Sequence, residues 1–506
     1  MIKKLISLVL LGASLTAAAN DASLTLEPRP EWPIVHRQGD QLFEGDKTFR
    51  FLGLCSSTLN TTKEQILPDW SNRWPDEFEI RSILDGLSRV GARATRVGIG
   101  LTVASPLDPK AHNHIQARRT YNEDAFRAMD RAIALAHEYD VRIIFPLIAS
   151  QSFTNTRGVD EFAALSGKPM GSFWSDAEVK ADFKHLIHYL LNRRNTVNGL
   201  LYKDDPAILA WQLGNEFASY YGDRKLDPTV YRPQILAWSA EMAAYIKSID
   251  SQHLVMEAGG ADPQALLADP NIDIMSTHLY EYWNKLAGQP YDLAPIARHE
   301  QSLYKGKKPL IVDEFGLASH DNIKQLMETI RAEGITGGLL WGIRGHRRHG
   351  GWYYHNEGGT PVNSYHVPGF AAGYAYEETR TLDLLRAQAY AIRGEPVPKV
   401  KKPTGVPVLF AHNNGFIWRG TMGATHYDIQ RREKGKSWQL VATGLQDSVI
   451  ADVKSHEAAG ISEPSVLWYD EYRQSGKVYE YRVRGINTAG ATPWSASLQS
   501  PVAAVR

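Results

Sequence analysis

The sequence predicts an α/β protein: a (β/α)8 TIM barrel followed by a small all-β, immunoglobulin-like sandwich. Three observations lead there. Short apolar runs alternate with amphipathic helical stretches between residues 30 and 396, the pattern of a parallel sheet covered by helices. The runs number eight, with length to spare for long loops. That favours a closed barrel over an open doubly wound sheet, and no G-x-G-x-x-G follows the first run to suggest a dinucleotide fold. Beyond residue 407 the texture changes to about 100 residues of short strands and turns.

The elements follow in chain order. Lys3 and Lys4 precede a mainly apolar run from Leu5 to Leu15, and Ala17-Ala18-Ala19 offers a cleavage site. Residues 1–19 therefore read as a secretory signal peptide. The run is shorter than the ~20 residues a membrane span needs, and no other run is long enough. A secreted protein, periplasmic or extracellular, is expected. The domain at 30–396 carries candidate strands FRFLGL (49–54), ATRVGI (94–99), RIIFPLI (142–148), AILAWQL (207–213), HLVMEA (253–258), IDIMSTHL (272–279), PLIVDEF (309–315) and GGLLWGI (337–343). Ile80, Ile83, Leu84 and Leu87 fall on one helical face, as do Phe126, Met129, Ile133 and Ala136. Segments 180–193, 234–248, 321–333 and 377–393 also read as helix. Residues 397–407, rich in Pro and Lys, read as a short stiff linker. In the domain at 408–506, Trp418, the Tyr479–Val483 run and the turn at Asn487 resemble a fibronectin type III module.

Composition narrows the partners. Lys plus Arg equals Asp plus Glu, at 56 each, so neither a nucleic-acid backbone nor an anionic membrane is indicated. The 13 Trp and 23 Tyr suit sugar rings as well as cores. Cys55 is the one cysteine, which rules out an intrachain disulfide. No His adjoins it to lower its pKa, so it reads as a buried structural residue. No internal repeat is visible, and nothing indicates an oligomeric state.

The strand ends carry the chemistry. The apolar run Ile208–Leu213 breaks at Gly214 into Asn215 and Glu216. In a (β/α)8 barrel the active site lies at the C-terminal ends of the strands. Read in order, those ends offer Arg96, then Asn215 and Glu216, then His278 and Tyr280, then Asp313 and Glu314, then Trp341. Two carboxylates from opposite walls are the equipment for cleaving a glycosidic bond, one as acid and the other as nucleophile or base. Arg96 is the cation to keep one of them charged. Tyr280 is placed to donate to that same carboxylate, and Asn215 to meet a sugar hydroxyl. Strand alternation should turn Asp313 away from Glu314, so Asp313 reads as structural. Asp273 lies at the wrong end of its strand for catalysis.

The runs RATRVG, YKDDPAILAWQLGNE, MSTHLY, KPLIVDEFG and GGLLWG resemble glycoside hydrolase family 5 of clan A, above all its endo-β-1,4-mannanases. The resemblance covers most of residues 40–345. It implies Glu216 as acid/base and Glu314 as nucleophile. It further implies Asn215 on the sugar 2-OH, Arg96 and Tyr280 on the nucleophile, His278 in the family's H-x-Y, and Trp341 as the platform under the sugar. It implies β-mannan or a related β-glycan as substrate and no cofactor or metal.

Two departures bear on the sugar sites. Phe217 stands where the mannanases often have Pro, and IASQSF (148–153) where they often carry Asn and Trp. The aromatic, basic loop Gly345–Thr360 is long enough to wall off one end of a cleft and so impose exo action. Its His346, His349 and His355 lack usual metal-ligand spacing. Three readings stay open: an endo-mannanase, an exo-β-mannosidase or β-glucanase on the same machinery, and a non-catalytic carbohydrate-binding or adhesion protein.

Overall fold

A computed structural model of the chain describes residues 24–27, 29, 31–61, 74–98, 100–105, 113–151, 158–259, 262–353, 365–369, 378–412, 414–447 and 466–499. The signal-peptide region, Ile99 of the second strand, and 354–360 of the loop after the eighth strand lie outside the described residues.

Eight parallel strands appear where the apolar runs place them. They are β1 Phe51–Leu54, β2 Ala94–Arg96, β3 Arg142–Pro146, β4 Ile208–Gln212, β5 Leu254–Met256, β6 Met275–Tyr280, β7 Leu310–Gly316 and β8 Gly337–Leu340. β5-β4-β3-β2 form one hydrogen-bonded run and β6-β7-β8-β1 another. A parallel bridge between Met256 and Ile274 joins β5 to β6. Ser56 N–H donates to the Arg96 carbonyl at 2.9 Å, and Thr95 Oγ1 to the Leu54 carbonyl at 2.8 Å, joining β1 to β2. The ring is closed.

Helices follow the strands in turn: α1 Glu77–Arg89, α2 Glu123–Tyr139, α3 Ala177–Leu191, α4 Pro228–Ile249, α5 Pro263–Leu266, α6 Leu293–Tyr304, α7 His320–Ala332 and α8 Glu378–Ala391. α1 opens on a capping box between Asp76 and Glu79, which satisfies two otherwise orphaned N–H groups. It buries Ile80, Ile83, Leu84 and Leu87, the face read from spacing. α5 and α6 were not foreseen. α5 is a single turn, and α6 buries Leu293, Ala294, Ala297, Gln301 and Tyr304. Small and polar residues on that face leave no apolar stripe to read.

Outward-facing Ile143, Phe145, Ile208, Trp211, Leu310 and Val312 pack under the helices. Inward-facing Phe51, Ala94, Ile144, Ala210, Met256, Ile311 and Leu339 fill the barrel, and Val35, Leu42 and Phe49 close its N-terminal end. The polar side chains are left to the other end.

β7 departs from regular alternation. Thr277 of β6 faces Val312, but the next residue, His278, faces Glu314. On the other side Val312 faces Gly338 and Phe315 faces Leu340. Both neighbours therefore register one extra residue in β7 at Asp313–Glu314, a β-bulge. Asp313 points into the barrel beside Glu314, and the expectation that alternation would turn it away is corrected.

The C-terminal region is all β. An antiparallel hairpin, β9 Val408–His412 with β10 Gly415–Arg419, packs with a sheet containing β11 His426–Glu433, β12 Gln439–Leu445 and β13 Tyr479–Asn487 in the order β12-β11-β13. Leu409, Phe416, Trp418, Tyr427, Ile429, Tyr481 and Val483 form its core. Trp494 lies outside that core, half-exposed under the guanidinium groups of Arg482 and Arg484.

This region is fastened to the barrel. Arg89 of α1 donates to the carbonyls of Lys401 and Lys402 at 3.1 Å each and to Thr404 Oγ1 at 2.6 Å. The loop after β8 fills the seam. His346 is buried, with Nδ1 3.0 Å from Ser82 Oγ of α1 and Nε2 3.0 Å from Asp447 Oδ2 of the β region. Its ring stacks on Trp352 at 3.6 Å. Tyr353 hydroxyl and Arg348 N–H both donate to Glu79 Oε1, and Gly351 N–H donates to the Trp418 carbonyl. The described half of this loop is committed to the seam, and His346 to Ser82 and Asp447.

Candidate active site

The mouth of the barrel gathers the residues expected there. Arg96, the last residue of β2, is fully buried, and its guanidinium reaches across to the walls of β4 and β7. Nη1 donates to Glu314 Oε1 at 2.5 Å and to the Gly98 carbonyl at 2.9 Å. Nη2 donates to Asn215 Oδ1 at 2.7 Å, and Nε to Gln212 Oε1 at 2.6 Å. Asp313 Oδ2 lies 3.3 Å from Nε. A buried guanidinium needs this many acceptors, because an unpaired charge there is costly.

Glu314 is held on both oxygens. Arg96 takes Oε1, and Tyr280 hydroxyl donates to Oε2 at 2.5 Å. Glu216 lies just past β4 with a left-handed backbone, φ 48°, unusual for a residue with a side chain and typical of functional sites. Its Oε1 is 2.8 Å from His278 Nδ1, and Gln151 Nε2 donates to its Oε2. One oxygen of Glu216, one of Glu314 and a ring nitrogen of His278 lie within 4.8 Å of one another. Each of these atoms serves a hydrogen bond inside the site, so the trio reads as a proton network.

His278 and Asn215 sit deeper than a surface contact would. Both ring nitrogens of His278 face carboxylates: Nδ1 toward Glu216 and, at 3.4 Å, Glu314; Nε2 toward Asp313 Oδ2 at 3.3 Å. Asn215 is buried, with Nδ2 on Gln151 Oε1 at 3.2 Å. Trp341 follows β8 at the mouth, 7% exposed, and its peptide bond to Gly342 is cis. Phe217 packs on Trp174 and Trp238 with centroids 4.9 and 5.5 Å away. Trp174 is buried in that cluster, so it is packing and not a sugar platform. Cys55 is buried below the site, its thiol donating to the Asp313 carbonyl at 3.1 Å. Burial and the nearby Glu314 charge push that thiol well up and deny it a nucleophile's role.

Sequence reasoning missed Gln151, Gln212 and Asp313. Gln212 had a signal, being the polar residue of an otherwise apolar β4. It donates to Asp313 Oδ2 at 2.8 Å.

The charges interlock. Burial works against the His278 cation, but Glu314, Asp313 and the bonds to Asp313 and Glu216 hold its pKa well above the usual imidazole range. Burial raises Asp313, and His278 and Arg96 more than offset it, leaving Asp313 low. Glu216 and Glu314 titrate as a pair. Burial lifts both; the His278 bond draws Glu216 down, while the Glu216 charge helps keep Glu314 up. The permanent charge and the exposure argue for the opposite sharing of a proton. Both carboxyls have a donor on each oxygen, but Glu314 pairs directly with the Arg96 guanidinium and is 5% exposed, whereas Glu216 is 33% exposed and can exchange a proton with solvent. A charge-assisted bond from a guanidinium that never loses its proton specifies the ionised form of Glu314.

Comparison with known proteins bears on the class of enzyme and on the fold. Residues 145–336 match a family model described as GH family 5 beta-mannosidase-like. Mannan endo-1,4-beta-mannosidase 1 of Oryza sativa subsp. japonica is 28% identical over 298 residues, 48% of this chain and 67% of that protein. Mannan endo-1,4-beta-mannosidase 7 of Arabidopsis thaliana is 39% identical over 231 residues, 39% of this chain and 51% of that protein. The chain thus spans about half to two thirds of the length of these relatives. Among solved structures, the endo-1,4-beta-mannanase of Rhizomucor miehei superposes with a TM-score of 0.55 at 23% identity, over 72% of this chain and 100% of that one. It shares the barrel fold. The family match and the relatives support a glycoside hydrolase. No described helix is long and apolar enough to cross a membrane.

Proposed function

We propose that the chain is a secreted retaining glycoside hydrolase that cleaves β-1,4-mannosidic bonds in mannan-type polysaccharides by double displacement. The observation that carries this is the meeting of Glu216 and Glu314 oxygens within 4.8 Å. Retaining enzymes hold their carboxyl groups ~5–5.5 Å apart, and inverting enzymes leave ~6.5–9.5 Å for a water.

In this reading Trp341 supports the sugar at the cleavage point. Glu314, kept ionised and aimed by Arg96 and Tyr280, attacks the anomeric carbon as Glu216 gives its proton to the leaving oxygen. The glycosyl–Glu314 ester is then hydrolysed by a water from which Glu216 takes a proton, regenerating both groups. Asn215 meets the sugar 2-OH. The mannan substrate is inferred from the rice and Arabidopsis relatives. The "beta-mannosidase-like" description of the matching family model favours a second reading, removal of single mannose units from chain ends. The β region is inferred to be a fibronectin type III-like module that braces the barrel.

The test is product analysis on β-mannan, glucomannan and cello-oligosaccharides, beside Glu314→Ala. Mixed mannooligosaccharides from the wild type alone support endo cleavage, and mannose alone supports the second reading. No release from any β-glycan overturns both and favours a binding protein.

A further inference from the structure

We propose that Asp313 is a positioning residue: from beneath the catalytic pair it holds His278 as a two-handed donor, so that the imidazole grips Glu216 at one nitrogen while anchored at the other. The proposal rests on the glycosidase reading and deepens it.

The bulge in β7 makes this possible. It turns two successive acids into the barrel, Glu314 at the mouth and Asp313 one layer below. Asp313 is fully buried, and one oxygen collects every contact: Gln212 Nε2 at 2.8 Å, Arg96 Nε at 3.3 Å and His278 Nε2 at 3.3 Å. An ionised carboxylate only accepts, so His278 Nε2 carries a hydrogen. His278 Nδ1 faces two more carboxylate oxygens, on Glu216 at 2.8 Å and Glu314 at 3.4 Å. Glu314 is the ionised member of the pair, so a bare lone pair at Nδ1 would face an anion, and Nδ1 too carries a hydrogen. The geometry therefore asks for an imidazolium.

The charges around the ring are Glu216 from the end of β4, Asp313 and Glu314 from β7, and Arg96 from β2. Tyr280 of its own strand lies edge-on at 6.5 Å, and Cys55 from β1 contacts the Asp313 backbone. Three carboxylates face two cations, Arg96 and His278. A single proton on the catalytic pair then brings the cluster to neutrality, which is the state the first step requires. Replacing Asp313 with an amide removes the charge that sustains the second proton on His278. Glu216 then loses its fixed donor, while the sugar-binding surface is left alone.

The experiment uses the full chain labelled with 15N-histidine, with the His278 signal assigned by its loss in His278→Gln. In the wild type at neutral pH both ring nitrogens of His278 should carry protons. In Asp313→Asn one should be bare. kcat on mannooligosaccharide should fall about 10- to 100-fold, the effect of losing one charge-assisted hydrogen bond, with KM little changed. The alkaline limb of the pH–rate profile should move to lower pH. A bare ring nitrogen in the wild type overturns the proposal, even if Asp313→Asn does not fold. So does a folded Asp313→Asn with the wild-type spectrum and pH profile. If the wild type cleaves no β-glycan, the glycosidase reading fails on its own, and the ring-nitrogen spectrum still decides the claim about His278.

Discussion

Two of the histidines that pair with aspartates, His278 and His346, differ in their second partner, and the difference sets the barrel mouth apart from the seam. At the mouth of the barrel His278 meets carboxylates at both ring nitrogens. In the seam between barrel and β region, His346 meets Asp447 at Nε2 and a serine hydroxyl at Nδ1. Ser82 Oγ can donate to Nδ1, so the seam asks only one nitrogen of the ring to donate. At the mouth, Asp313 and Glu314 as ionised carboxylates ask for a hydrogen on each ring nitrogen. The same residue pair thus faces a second carboxylate in one place and a hydroxyl in the other, and the second partner decides how many donors the ring is asked to supply.

That comparison breaks first at Glu216 and Glu314, the proposed catalytic pair. Glu314→Ala should abolish turnover while thermal unfolding stays near that of the wild type, as the assay of released reducing sugar and a melting curve will show. Glu216→Ala should cost about 10²- to 10⁴-fold in kcat, the usual worth of a general acid. The loss should be much smaller on substrates whose leaving group needs no proton. Assays with an aryl mannoside beside a mannooligosaccharide separate the two.

At the seam the sign of the outcome should invert, with stability lost and chemistry kept. Asp447→Ala strands the buried His346 donor and should cost about 1–3 kcal/mol of stability, read by chemical denaturation, with kcat unchanged. Burial opposes the charge on Asp447, but its bond to His346 wins and its folded pKa is lowered. A lowered carboxyl stabilises above its unfolded value, about 3.9, and that stability fades as pH falls through the folded value. The stability gap between wild type and Asp447→Asn should therefore be full at neutral pH and begin to close only below about pH 4. Smallest of all, Arg419 lies 4.4 Å over the Phe78 ring. Arg419→Ala should cost about 0.5–1 kcal/mol by the same denaturation.

The barrel was legible because each strand is a dense apolar run whose period needs no tertiary information. Arg96, Asn215, Glu216, His278, Tyr280, Glu314 and Trp341 all gather at one mouth, because residue order along a parallel strand fixes which end it reaches. Asp313 was misread because a bulge is invisible to alternation; it arises from pairing with both neighbours at once. Gln151 lies in a loop with no periodicity to place it. The seam was missed for another reason. The linker reads as a stiff spacer and the loop after β8 as a wall of the cleft, and only the fold brings Arg89 to the Lys401 and Lys402 carbonyls and Asp447 to His346.

The extra residue in β7 has a further consequence. A regular strand can offer a barrel mouth one side chain per wall at each level. By running one residue long against both neighbours, this wall delivers two acids to the interior in succession. Its chain catches up by Phe315, which pairs again with Leu340. Deleting one residue at that point would leave a smoother staircase and a shallower well of charge: a barrel still closed, with one acid fewer beneath the sugar.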